Sequence, residues 1–381
     1  MGRNVLVVNV GSTSKKYSLY FDDKQVFNAS FQNYNNKFLF KTEKEKFEIS
    51  KKEYVNSANY ILKYLISFGL IEDFNNIIAV GFRVVAPGKY FIENRIIDSN
   101  YIKKLKENLI LAPLHIKPLL EELLNLRKTL SKALFIGVSD SNFHKNMDEL
   151  SKIYAINLNT AEGLGIYRYG YHGISLQSLM NQVGKLFRRI PKRIIICHLG
   201  GGSSVTAIKN GKSFDTSMGF TPLEGVFGGS RSGNIDLSAA LYLGKKLKIN
   251  LEDYFNSKSG FLGLTGKEDL RDVLDLFNKG DKNSKLALDL YSYNIKKYIG
   301  SYFASLNGLD LLVFTGAIGE HSEVVRSKIC DNLNTLGILL DKEKNKLHED
   351  GFINSKKSKV KVLVLSCNES KAIFKVVNDF I

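Results

Sequence analysis

The sequence predicts two α/β domains built from one duplicated unit, each opening on a strand, a glycine-hydroxyl turn and a second strand. Three observations carry this. The apolar run at residues 5–10 stops at Gly11-Ser12-Thr13-Ser14-Lys15-Lys16 before residues 17–21 resume it. The pattern returns about 190 residues later. There the β-branched run Ile194-Ile195-Ile196-Cys197 stops at His198-Leu199-Gly200-Gly201-Gly202-Ser203-Ser204. Asn9-Val10-Gly11 thus falls on His198-Leu199-Gly200, and Ser14 on Ser203. Finally, 381 residues with 44% apolar side chains suit two cores better than one. Facing domains with a cleft between two glycine turns are implied, and such turns can cradle phosphate oxygens.

The elements follow in order. Alternation over residues 27–49 predicts antiparallel strands that turn near Asn35-Asn36. Tyr54, Ala58, Ile61, Leu62 and Leu65 recur at helical spacing, which predicts one helix over 51–68 stopped by Gly69. Residues 77–80 read as a strand, and 81–88 as the loop after it. Pro113 opens a helix to about Leu130. Residues 133–138 then form a strand that delivers Ser139-Asp140-Ser141-Asn142 at its end, where such folds place chemistry. A helix over 175–187 precedes the central hairpin, whose Asn210-Gly211 turn tolerates positive φ at both positions. Further helices are predicted over 236–248, 267–279 and 283–306. The strand at 309–314 ends in a third glycine turn, 315–322. A helix from Glu323 to about Leu336 follows it, so an anion is favoured at that turn. A strand at 361–365 and a helix at 368–380 close the chain.

Composition excludes several classes. No apolar run approaches the roughly 18 to 20 residues of a membrane span. The N-terminal run is cut by Asn9 too soon for a secretory signal, and Leu6 stands where a myristoylation site at Gly2 would want a hydroxyl. Cys197, Cys330 and Cys367 are odd in number and widely spaced, which argues for a reducing, cytoplasmic compartment over a disulfide framework. The six histidines form no zinc pattern. A formal charge of +16 raises the question of nucleic acid. However, the lysines are interleaved with acids, and the dense patches lack stacking aromatics. Attraction of anionic substrates is the consequence that remains. Lys212-Ser213 is not part of a Walker A loop, since Thr206 stands where that motif needs glycine.

Three glycine-hydroxyl turns beside Asp140 and Arg231 suit a nucleotide's phosphates. The residues resemble the acetate kinase family, members of the sugar kinase, heat-shock protein and actin superfamily of duplicated actin-like ATPase (ribonuclease H-like) domains. The likeness runs through Asn9-Val10-Gly11-Ser12-Thr13-Ser14, Phe82-Arg83-Val84-Val85, Leu111-Ala112-Pro113-Leu114-His115, Asp140 with Phe143-His144, and Tyr169-Gly170-Tyr171-His172-Gly173. Cys197-His198-Leu199-Gly200 continues it. Its longest stretch is Asp215-Thr216-Ser217-Met218-Gly219-Phe220-Thr221-Pro222-Leu223-Glu224-Gly225, extending to Arg231-Ser232-Gly233.

The resemblance implies reversible transfer of the γ-phosphoryl group of ATP to acetate, giving acetyl phosphate and ADP with Mg²⁺, or Mn²⁺ in its place. A carboxylate is already ionised at pH 7, so no general base is needed; the task is to hold two anions in line. By the same resemblance Arg83, Arg231, His172 and Asp140 are catalytic, with Asp140 a metal- or water-orienting acid. Asn9 and Glu369 hold metal, although Glu369 equally suits an ordinary first-turn helix acid. Asn9, Ser12, Ser14, Lys16, His198, Gly200, Gly201 and Gly202 touch phosphates, while Asp269, Leu270, Arg271, Gly316, Ala317, Ile318, Gly319 and Glu320 form the nucleotide side. Arg83, Val85, Leu114, Tyr171 and Pro222 line the substrate pocket. The domains fall at 1–146 with 369–381 and at 147–368, and a homodimer forms through the second.

The chain departs from the family at Phe82, usually His, at Ala86-Pro87, usually His-Gly, at Ile116, usually Asn, and at Gly201, usually Asn. Ser139-Asp140-Ser141 replaces Phe-Asp-Thr, Tyr171 stands for the commoner Phe, and Asn234 for Asp. Two alternatives stay open. One is a kinase for propionate or another short acid. The other is a non-catalytic actin-like nucleotide-binding module.

Overall fold

The computed structural model describes residues 3–11, 14–34 and 37–381. Ser12, the Asn35-Asn36 turn and Gly2 lie outside the described residues. The chain divides into two compact units, Met1–Asn142 with Asn368–Ile381, and Phe143–Cys367.

In the first unit eight strands form one sheet: β1 (Asn4–Val10), β2 (Ser14–Phe21), β3 (Lys24–Tyr34), β4 (Lys37–Thr42), β5 (Lys46–Ile49), β6 (Ile77–Val84), β7 (Arg95–Ile96) and β8 (Leu134–Ser139). Their order is β5-β4-β3-β2-β1-β6-β8-β7. Short turns keep β1 to β5 antiparallel, whereas helical crossovers make β1, β6 and β8 parallel. β1 is buried on both faces and is accordingly apolar almost throughout. The second unit carries β9 (Arg193–Leu199), β10 (Ser203–Lys209), β11 (Lys212–Thr216), β12 (Leu311–Thr315), β13 (Gly351–Phe352) and β14 (Lys361–Val364) in the order β11-β10-β9-β12-β14-β13. β3-β2-β1-β6-β8 and β11-β10-β9-β12-β14 therefore repeat one order and one pattern of directions. This is the duplicated actin-like, ribonuclease H-like arrangement that the sequence predicts.

Register refines the duplication. Lys15 lies opposite Val10, whereas Ser203 lies opposite Leu199. The first turn is thus one residue longer, and Ser203 takes the place of Lys15, not of Ser14. In the hairpin, Asn210 and Gly211 have φ of 51° and 78°, as the Asn-Gly pair requires.

Four local expectations are corrected. The helix expected over 51–68 breaks at Asn56 into Lys51–Val55 and Ser57–Ser67: Asn56 leaves helical backbone at φ −93° and ψ 28°, its side-chain amide takes the Lys52 carbonyl, and Lys15 Nζ takes the Tyr54 carbonyl at 3.2 Å. The segment 81–84, expected as loop, is the end of β6. There Gly81 admits the last helix, since a Cβ at Gly81 would strike Val377 and lie 2.9 Å from Ile373. The helix from Glu323 ends at Cys330, with Asn332 at φ 60° beyond it. Residues 316–321 of the third glycine turn are themselves helical. The closing helix Glu369–Asn378 packs on β1 and β6, Phe374 stacking on Tyr20 at 4.3 Å.

Candidate active site

The first unit brings three predicted residues to the carboxyl ends of neighbouring strands, with Glu369 of the closing helix beside them. Asn9 ends β1, Arg83 ends β6 beside it, and Asp140 follows β8, its N–H bonded to the Val84 carbonyl. Arg83 Nη2 donates to Asp140 Oδ2 at 2.9 Å and Nη1 to Asn9 Oδ1 at 3.3 Å, while Asn9 Nδ2 donates to Glu369 Oε2 at 2.7 Å. One guanidinium thus stands between two carboxylates linked through an amide. Asp140 is fully buried and ion-paired with Arg83. Lys16 faces Asn9 across the β1–β2 ladder and is exposed. Ser14 closes its turn by accepting from the Gly11 N–H at 2.8 Å.

The departures in this unit are mostly core exchanges. Phe82, Ala86 and Ile116 are buried in the hydrophobic core, so their side chains serve packing. Ser139 donates to the Phe91 carbonyl and, through its N–H, to Asn94, which holds the strand end that presents Asp140. Val85 is buried, whereas Leu114 is exposed at the start of the helix Pro113–Thr129.

In the second unit His172 and His198 meet. Their rings stack at 4.2 Å, and His172 Nδ1 bonds Ser204 Oγ at 3.0 Å. His172 holds φ 60° at the start of the helix Gly173–Leu186, a conformation that costs a non-glycine residue energy and is met at functional sites. Gly200 N–H bonds the Gly202 carbonyl, closing the glycine turn. Arg231 lies directly against it: a Cβ on Gly202 would fall on Arg231 Nη2 and come within 3.7 Å of His172 Nε2. Ser204, opposite His198 on β10, is a site residue that sequence reasoning missed; its period-2 pairing with His198 was the available signal.

The loop that carries Arg231 is braced on every side. Gly229 N–H bonds the Gly201 carbonyl, Gly228 N–H the Arg231 carbonyl, and Leu262 N–H the Gly229 carbonyl. Arg231 Nη1 reaches the Pro222 carbonyl at 3.3 Å. That segment is held in turn by Glu224, which Tyr154 and Arg168 grip together. Burial pushes the neighbouring Asp215 carboxyl above its ordinary pKa, with Arg168 opposing. Tyr171 is buried, its hydroxyl donating to the Phe220 carbonyl at 2.6 Å. Gly201 has open space where a Cβ would stand, so the turn has room for the family's Asn.

The predicted nucleotide side is self-contained. Asp269 caps the helix Leu270–Asn278, and the Arg271 guanidinium beside it holds its carboxyl below the ordinary range; Leu270 is buried. Gly316 lies against the Leu199 backbone at φ 78°. Ala317 is exposed, while Ile318 and Gly319 are buried. The anion expected at this turn is the chain's own: Glu320 Oε1 accepts from Gly316 N–H at 2.8 Å and from Thr315 Oγ1 at 3.2 Å.

The acetokinase family model matches residues 4–375. The chain belongs to the acetokinase family. Within it, the acetate kinase of Carboxydothermus hydrogenoformans is 38% identical over 97% of both chains. That of Thermosipho melanesiensis is 40% identical over 99% of this chain and 97% of its own. Among solved structures, a propionate kinase from Francisella tularensis superposes with a TM-score of 0.91 at 33% identity over 100% of both chains. Acetate kinase from Porphyromonas gingivalis gives 0.86 at 33% over 99% of both. As a member of this family the chain is a kinase that uses ATP.

Proposed function

We propose that the chain is an acetate kinase, transferring the γ-phosphoryl group of ATP to acetate reversibly. The observation that carries the reading is the Arg231 guanidinium seated on Gly202, within the turn that suits phosphate oxygens. Arg83 and Arg231 bind the carboxylate and the transferring group through planar forks. Charge that develops on the phosphoryl oxygens is met by Arg231 and by His172, which Ser204 holds in orientation. Asp140 orients Arg83.

Mg²⁺ belongs to the proposal. Among the described residues no group of three or more His, Cys, Asp or Glu side chains gathers as a metal cage. Mg²⁺ does not require one, since it takes one or two carboxylates beside substrate phosphates and water. The Asn9 amide oxygen and the Glu369 and Asp140 carboxylates are hard oxygen donors suited to that part. Bound there, the ion would offset phosphate charge and fix its geometry. A homodimer through the second unit, in a cytoplasmic setting, completes the reading. The exposed Leu237 and Leu241, with Leu286, Leu290 and Tyr293 on a second helix, form apolar stripes suited to a second copy.

The test is ATP, Mg²⁺ and acetate with hydroxylamine as trap; absence of acetate-dependent hydroxamate overturns it. Similarity to a propionate kinase at 33% identity favours one alternative, a longer acid. Comparing kcat/KM for acetate, propionate and butyrate separates the two.

A further inference from the structure

We infer that Tyr154 is a positioning residue for Arg231. Its hydroxyl, together with Glu224 and Arg168, stiffens the loop whose Pro222 carbonyl anchors the Arg231 guanidinium, and so sets the rate of phosphoryl transfer. The inference rests on the role proposed for Arg231.

Residues 217–236 join β11 to the helix Leu237–Leu247 and contain neither helix nor strand. No ladder fixes their backbone, so bonds from other segments must. Phe220 is held at both of its backbone groups. Its N–H donates to the Tyr154 hydroxyl at 2.8 Å, and its carbonyl accepts from the Tyr171 hydroxyl at 2.6 Å. The Tyr154 hydroxyl donates in turn to Glu224, whose other carboxylate oxygen pairs with Arg168 Nη2 at 2.7 Å. Arg168 Nη1 reaches the Thr216 carbonyl at 3.3 Å, where the loop begins. Glu224 therefore folds back over Gly219, where a Cβ would fall on its carboxylate and on the Tyr154 hydroxyl alike.

Residues 219–224 are thus closed by one side-chain node. Pro222 lies between its two ends, and its carbonyl accepts from Arg231 Nη1 at 3.3 Å. A free arginine side chain carries about 2 kcal/mol of rotamer entropy. Bare Gly202 gives the guanidinium room, and the Pro222 carbonyl gives it direction. A carbonyl can do so only where its own loop is held, which is what Tyr154 supplies through Phe220 and Glu224. Tyr154 itself stands between the helices Glu149–Lys152 and Leu158–Leu164 and takes no part in the chemistry.

The experiment uses Tyr154→Phe, which removes the hydroxyl but keeps the ring and the Arg168 cation 5.4 Å from its centroid. Steady-state hydroxamate formation should show kcat lowered about 5–10-fold with the KM for ATP within about two-fold, the pattern of an interaction expressed in the transition state. In an Arg231→Lys background, which lacks the planar fork, the same substitution should change kcat by less than about two-fold. A parental kcat in Tyr154→Phe, or an equal loss in both backgrounds, overturns the inference. Should Tyr154→Phe fail to fold, Glu224→Gln keeps the side chain's shape and removes the charge that Arg168 holds; it must then show the same dependence on Arg231. Spectra of arginine labelled with ¹⁵N read the link without turnover. The Arg231 guanidinium signal, assigned by its absence from Arg231→Lys, should move in Tyr154→Phe, and an unmoved signal overturns the inference. A parent that makes no acyl phosphate refutes the proposed function alone, because these spectra still decide what holds Arg231.

Discussion

Gly202→Ala probes Arg231 through the backbone it rests on. The added Cβ would fall on Nη2, with Cζ 3.3 Å away. Gly202 is not among the residues at positive φ, so alanine itself is unstrained and the end of the long Arg231 side chain must yield. Restoring van der Waals distance moves the guanidinium by about 1 Å. A misplacement of that size near reacting atoms costs about 10²-fold in rate, or about 2.7 kcal/mol of transition-state stabilisation. Folding changes far less: Gly→Ala at a compatible φ adds about 0.4–1 kcal/mol through the unfolded chain, offset by the local shift. Steady-state hydroxamate formation gives kcat and KM for acetate and ATP, and a thermal melt gives Tm. The expected result is kcat/KM reduced about 10²-fold, mostly in kcat, with Tm within about 3 °C. Parental kcat with parental Tm would refute the placement of Arg231 at the transferring group.

Ser204→Ala removes the bond that orients His172 and should lower kcat about tenfold with little change in the KM for ATP; equal loss in both parameters would point to a disturbed turn instead. Gly81→Ala drives a methyl group into Val377 and Ile373 on the closing helix, and should destabilise the first unit by about 1–3 kcal/mol in urea unfolding. The pH dependence of stability should show Asp310, whose carboxyl the Arg193 fork holds below its ordinary pKa. A lowered folded pKa stabilises above the unfolded value of about 3.9, and that stabilisation is lost as pH falls through the folded value. The Tm gap between the parent and Asp310→Asn should therefore be constant from about pH 7 to 5 and shrink below about pH 4. A gap that widens on acidification would contradict the pairing.

The duplicated units were legible because their signals are local. A strand that stops at a glycine-hydroxyl turn announces itself twice, and Asn9 and His198 stand at those strand ends. Arg83 was legible only through resemblance, since residues 81–84 read as loop. Gly81 is in fact a strand residue made small by a helix nearly 300 positions away, which no window of sequence contains. The break at Asn56 was hidden for the same reason: Lys15 draws on the Tyr54 carbonyl across 39 residues. At the third turn the helix-dipole argument was applied to the helix from Glu323, whereas Gly316–His321 is itself a helix whose first N–H donates to Glu320 of its own last turn. Among the departures, Phe82 and Ile116 border the site in sequence but face the core, a distinction that only burial reveals.

The central claim is direct attack of an acetate oxygen on the γ-phosphorus. Its most direct test is ³¹P NMR of the protein with ATP, Mg²⁺ and acetate labelled with ¹⁸O in both carboxyl oxygens. The account predicts an acyl phosphate resonance carrying the isotope shift of one bridging ¹⁸O, growing as the γ-phosphate of ATP declines. Inorganic phosphate as the sole product, formed at the same rate without acetate, would contradict it.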